Sequence, residues 1–255
     1  MATYKKRGYK PQTKKEAEHI EETESTTAEV FSTLDEKASK TEEWVAGNQK
    51  YILGVIGAAV LVVLAYLGYQ QFIVSPAEEE ASNEMFFAQQ YFDEAVNSTD
   101  KDSLFTLALN GAEGKYGLLD IIDKYSGTKA ANLANYSAGM AYLNMNDYEN
   151  AITYLQNFKS EDLILGALAK GGIGDAFSQL GQLEDALEYY EKAFQYSDNN
   201  FTTPKFLLKA GIAAMELGQN DKAVKYFQRI KDEYSTSEEG RTIDIYLGKA
   251  ENTKQ

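Results

Sequence analysis

The sequence predicts an all-α protein: a polar N-terminal tail, a single transmembrane helix, and a solenoid of repeated helix pairs with degenerate helices before it and a closing helix after it. Two observations carry this. Tyr51 to Ala77 is 27 consecutive residues without a charge. Further on, three segments of about 21 residues align with one another without gaps, spaced 35 and 37 residues apart. The elements divide as 1–50, 51–74, 78–129 and 130–255.

Residues 1–26 are charged and poor in apolar side chains, a composition that cannot bury enough surface to offset the entropy of folding, so the tail is expected to be mostly disordered. Residues 27–46 differ. Phe31, Leu34, Ala38, Thr41 and Val45 recur at alternating steps of three and four, and Thr27 is placed to cap a helix there. This segment reads either as a juxtamembrane helix or as a helix-prone linker.

Tyr51 to Val74 supplies 24 residues, enough to cross a hydrocarbon core of about 30 Å at roughly 1.5 Å per residue. Fifty polar residues precede it, and Phe72, Ile73 and Val74 stand where a cleaved signal would need small residues, so a retained anchor is expected. Tyr51 at one end, with Trp44 just before it, and Tyr66 and Tyr69 at the other fall at headgroup level. Lys37, Lys40 and Lys50 lie upstream, and no Lys or Arg follows until Lys101. Positive charge marks the cytoplasmic side, which predicts a cytoplasmic N-terminus and an exported C-terminal domain. Gly54 and Ala58 form a small-xxx-small pair that either packs against another membrane helix or reflects ordinary span composition.

The aligned segments are "AGMAYLNMNDYENAITYLQNF" (138–158), "IGDAFSQLGQLEDALEYYEKAF" (173–194) and "AGIAAMELGQNDKAVKYFQRI" (210–230). Gly139, Gly174 and Gly211 fall in register where two helices must cross closely. Ala151, Ala186 and Ala223, each followed four residues on by Leu155, Tyr190 or Phe227, mark the buried stripe of the second helix. Asn146, Gly181 and Gly218 stand at the helix-ending turn, where a left-handed backbone is required. These residues resemble the tetratricopeptide repeat, a helix-turn-helix unit of 34 residues, although Asp198 and Ser235 replace the proline expected near the unit ends. Connections such as "YSDNNFTTPK" account for the extra length. Residues 237–253 read as the closing helix. Residues 84–98 and 115–125 read as the two helices of a degenerate first unit, with "GAEG" (111–114) as the loop between them.

Composition narrows the function. Residues 78–255 hold 16 Lys and Arg against 29 Asp and Glu, and a domain so acidic lacks the cations that neutralise nucleic-acid phosphates. There is no cysteine, and the one histidine, His19, lies in the tail, so neither thiolate chemistry nor a histidine-based catalytic or metal site is expected in the folded domain, nor is any cofactor. "KGGIGD" (170–175) lacks the order of a phosphate-binding loop and reads as close helix packing. The chain is not expected to be an enzyme.

In tetratricopeptide proteins the first helix of each unit lines a concave groove. The resemblance places Leu133, Tyr136, Met140 and Leu143 there from the first unit, Leu168, Asp175 and Ser178 from the second, and Lys205, Leu208, Ile212 and Met215 from the third. Either this largely apolar lining is open to a ligand, or helix 84–98 fills it. Some family members clamp a partner's terminal carboxylate; Lys205 and Lys209 match the basic pair of such a clamp, whereas Tyr136, Met140 and Gly172 depart from its other positions.

With its topology, the chain is similar to the bacterial single-span tetratricopeptide proteins of the inner membrane that serve as ancillary subunits of the Sec translocon and cooperate with periplasmic chaperones. That resemblance implies a membrane-tethered module with a periplasmic repeat domain, contacting the translocon, exported chains or chaperones. The alternative is a scaffold subunit of an envelope complex with no open groove.

Overall fold

The computed structural model describes the backbone of residues 14–252 and, before Thr41, the side chains of only Glu29, Val30, Thr33 and Leu34. The expected disorder of residues 1–13, His19, and the Phe31 and Ala38 side chains of the 27–46 seam lie outside what is described. Among the described residues all regular structure is helical. The chain divides into two compact units at Tyr69 and Gln70.

The first unit is α1 (Lys14–Tyr69). Helix thus begins well before the 27–46 segment, over a stretch with five Glu and two Lys, residues that give up little on entering a helix. One helical stretch among the described residues, within Thr41–Asn97, is long and apolar enough to cross a membrane, with a mean hydropathy of 2.4 over its most apolar window of 18 residues. Its large side chains are exposed, Tyr51 and Val55 by 77% and 70%, so none is used in a protein core. Nothing approaches the position a Cβ would take at Gly54.

The second unit opens with a π-helical turn, Gln70–Val74, followed by α2 (Ser75–Asn97). Pro76 has no N–H and its ring would crowd the carbonyl four residues back; widening the turn relieves this, and Ser75 Oγ donates to the Gln70 carbonyl at 3.0 Å. Next come α3 (Lys101–Asn110) and α4 (Leu118–Lys124). The paired helices follow as α5 (Lys129–Asn144) with α6 (Tyr148–Asn157), α7 (Leu163–Gln179) with α8 (Leu183–Tyr196), and α9 (Thr203–Glu216) with α10 (Asn220–Glu233). The closing helix is α11 (Ile243–Asn252). Each helix packs on the next, as the repeat pattern requires.

Asn146, Gly181 and Gly218 all have positive φ, between 61° and 74°. In each case the following amide reaches back to close the helix end: Asp147 to the Tyr142 carbonyl, Gln182 to Phe177, Gln219 to Ala214.

Three boundaries differ from the sequence reading, the first being that the helix expected at 84–98 begins at Ser75. Three helices, not two, precede the repeats, because α3 occupies what had read as connection. "KDSLFTLALN" is short and has no strong helical stripe, but Phe105, Ala108 and Leu109 are buried, so tertiary packing rather than propensity holds it. The "GAEG" loop therefore joins α3 to α4. At the other end, residues 237–242 form turns and α11 starts at Ile243. The backbone at Gly240 passes so close to the Tyr234 carbonyl that a Cβ would lie 2.3 Å from it.

α2 docks on α3, α4 and α5, burying Ala81, Met85, Ala88 and Ala95 in one cluster with residues of those helices, Ala130, Ala134 and Ala138 of α5 among them. The acidic run after the apolar stretch has a structural use. Glu78 accepts from the Lys129 and Ala130 amides at 2.7 and 3.0 Å, capping α5 from outside, while Tyr125 donates to Glu80 at 2.8 Å. Replacing Glu78 by Gln is expected to remove about 1–2 kcal/mol and to speed hydrogen exchange at those two amides. Unchanged exchange there would show that Thr128, which caps the Ala131 amide at 3.0 Å, holds the helix end alone.

Candidate binding groove

The expected lining residues lie on α5, α7 and α9 and are all half-buried, neither sealed in the core nor fully solvated. They are tied to three different packing clusters. Leu133 packs with the N-terminal helices; Tyr136 and Met140 surround Leu155; Leu168, Leu208, Ile212 and Met215 lean on the core of the second and third units. Tyr136 is fixed by a tilted ring contact with Phe158, centroids 5.1 Å apart. Burial pushes its phenol above the usual tyrosine range.

Adjacent stripes meet at the glycines of α7. The Cβ of a residue at Gly172 would lie 3.1 Å from Leu155, 3.5 Å from Met140 Sδ and 3.7 Å from Leu143. Met140 and Leu143 are thereby drawn against α7. Gly166, Gly171 and Gly174 receive the rings of Tyr196, Phe206 and Tyr190. The "KGGIGD" glycines are thus contact surfaces inside a helix. A phosphate cradle would need free amides, which this helix does not present.

Asp175 of the expected lining pairs with Lys209 of α9. Lys209 Nζ approaches the two Asp175 oxygens at 2.5 and 2.7 Å, linking the second unit to the third, and Tyr190 donates to Asp175 Oδ1 at 2.8 Å. The carboxylate is thus committed to neighbours on either side. Lys209, one half of the basic pair noted in the sequence, is bound to Asp175, which leaves Lys205 as the other. The Tyr190 contact escaped the sequence reading, although a Tyr standing 15 residues after an Asp across one helix pair is its signal. Ser178 stands one turn further along α7, also half-buried.

α2 is packed against α3, α4 and α5 through its alanine face. Gly54 and Ala58 lie on α1 in the other unit.

Paired helices, left-handed turns at matching positions and glycines receiving rings all repeat along one axis. Residues 136–200 and 172–238 each match the family model described as the tetratricopeptide repeat. Residues 136–238 carry tetratricopeptide repeats. No curated protein matches the chain. A tetratricopeptide solenoid supports protein–protein interaction: each unit contacts only its neighbours, and the stack exposes an extended concave surface.

Proposed function

We propose that this chain is a membrane-tethered interaction module that assists protein export, binding exported chains or periplasmic chaperones near the Sec translocon of a bacterial inner membrane. The observation that carries the reading is the union, in one chain, of an apolar helix long enough to cross a membrane and tetratricopeptide repeats with a half-buried apolar lining. Lys37, Lys40 and Lys50 before the span, with no cation after it until Lys101, support a cytoplasmic N-terminus and a periplasmic repeat domain. Met140 and Met215 suit ligands of varied shape, because an unbranched thioether adapts to irregular surfaces. Gly54 and Ala58 are the positions at which a partner's membrane helix would approach most closely.

Photo-crosslinkers at Met140 and Ile212, in cells producing the full chain, are expected to capture many unrelated exported proteins or a chaperone. A single stoichiometric partner, or products only from positions outside the lining, would support the scaffold alternative instead. Protease added to spheroplasts is expected to digest the repeat domain and spare the tail; the reverse pattern overturns the topology.

A further inference from the structure

A cleft of about 480 Å³ lies between α6, α7 and α8. Between residues 130 and 204 the sequence has ten Asp and Glu but only three basic residues, Lys159, Lys170 and Lys192. They come from a loop and two different helices, and all three border this one cleft. Among the described residues, no carboxylate pairs with Lys159 or Lys170. Lys170 Nζ instead lies 5.0 Å from the centre of the Tyr196 ring. Lys192 is paired with Glu188 at 2.5 Å, but both side chains are about half exposed, so the pair costs little to open. Two cations without a carboxylate partner and a third in an exposed pair thus stand on one cleft of an acidic domain, where they would attract carboxylates.

Leu155, Ala169 and Ile173 lie buried beneath the cleft, and the half-buried Phe158, Tyr189 and Tyr196 give it apolar surface. Its lip is held in place. Asn132 accepts from the Lys159 amide at 2.9 Å and donates to the Lys159 carbonyl at 2.6 Å, while Tyr196 donates to the Ser160 carbonyl. A lip fixed by its own hydrogen bonds loses little entropy on binding. The cleft's one glycine, Gly166, has its amide committed to the Asp162 carbonyl at 3.0 Å, so there is no cradle of free backbone donors for a phosphate. Lysine rim and apolar surface together fit a carboxylate next to a hydrophobic side chain.

We propose that this cleft binds acidic peptide segments, with an apolar side chain seated against Phe158 and the Tyr189 and Tyr196 rings and flanking carboxylates held by Lys159, Lys170 and Lys192. The site does not rest on the reading of the concave lining, and shares none of its residues.

The test uses the full chain in mild detergent and a fluorescein-labelled, amidated Glu-Glu-Phe-Glu-Glu peptide, followed by fluorescence anisotropy. Saturable binding is expected, weakening as salt rises from about 50 to about 300 mM. The double variant K159Q/K170Q is expected to bind at least about tenfold more weakly, while K205Q on the concave lining binds like the parent. Circular dichroism of both variants should match the parent, since all three side chains reach solvent. Undiminished binding by K159Q/K170Q overturns the proposal. So does equal binding of Gln-Gln-Phe-Gln-Gln or Glu-Glu-Gly-Glu-Glu, and so does competition by millimolar inorganic phosphate, which would mark a simple anion site. Crosslinking at Met140 and Ile212 is a separate readout, so failure of one reading leaves the other standing.

Discussion

Replacing Gly171 by alanine is expected to destabilise the repeat domain, although alanine is the better helix former by about 1 kcal/mol. A Cβ at this position would lie 1.9 Å from Phe206 Cε1 and 2.1 Å from Cζ. Phe206 is 2% exposed and stacked near Tyr190, centroids 6.5 Å apart, so its ring has nowhere to move. Overpacking of this kind costs about 1–3 kcal/mol and more where nothing yields, which outweighs the propensity gain. A net loss of about 2 kcal/mol is expected in urea denaturation. Because a solenoid couples nearest neighbours, hydrogen exchange should quicken mainly in α9 to α11. Two controls fix the cause. Gly218→Ala meets no neighbouring atom but has φ of 72°, so it should pay only left-handed strain, about 1–2 kcal/mol. Adding Phe206→Leu to Gly171→Ala should cost less than the sum of the two changes, since a smaller side chain makes room for the methyl. Additive losses, or a neutral Gly171→Ala, would show that α7 and α9 separate cheaply.

The register of the repeats was legible because it is a local property. The Gly139, Gly174 and Gly211 series and the turns at Asn146, Gly181 and Gly218 each answer a demand made within one helix pair. What each α7 glycine touches was not legible, since Gly171 and Gly172 face different neighbouring units and the sequence of one unit does not say what the next will place there. α3 was missed for a related reason: its ten residues are held by burial of Phe105 and Leu109 against α2, α4 and α5, a contact without local signature. Glu78 and Glu80 read as charge after a membrane span, and only the fold shows them reaching α5 and Tyr125 about 50 residues away. The Lys159, Lys170 and Lys192 cleft combines both difficulties. Its sparse lysines look like ordinary surface charge until three elements bring them together.

Alkaline pH should expose a second tight contact, between Tyr190 and Asp175. Tyr190 is buried, and desolvation first, then the adjacent Asp175 charge and the hydrogen bond to it, hold its phenol far above the ordinary value of about 10. The native state therefore keeps this proton where the unfolded chain gives it up. Above about pH 10 the unfolded state binds fewer protons, so stability falls as pH rises, by up to about 1.4 kcal/mol per pH unit for one fully protected phenol; below that pH the contribution is intact. Tyr226, beside Glu191, is shifted the same way and adds to the slope. Tyr190→Phe isolates one contribution. Near pH 8 it should cost about 1 kcal/mol, because Asp175 loses one donor but keeps Lys209. Towards pH 11 the deficit should shrink or reverse, because phenylalanine has no proton to lose. Urea denaturation of parent and variant at about pH 8, 9.5 and 11 measures the difference directly. Parallel losses would mean that the pocket opens and hydrates Tyr190 before its proton leaves. In that case the junction between the second and third units, where Asp175 is shared by Tyr190 and Lys209, would be the first part of the lining to loosen.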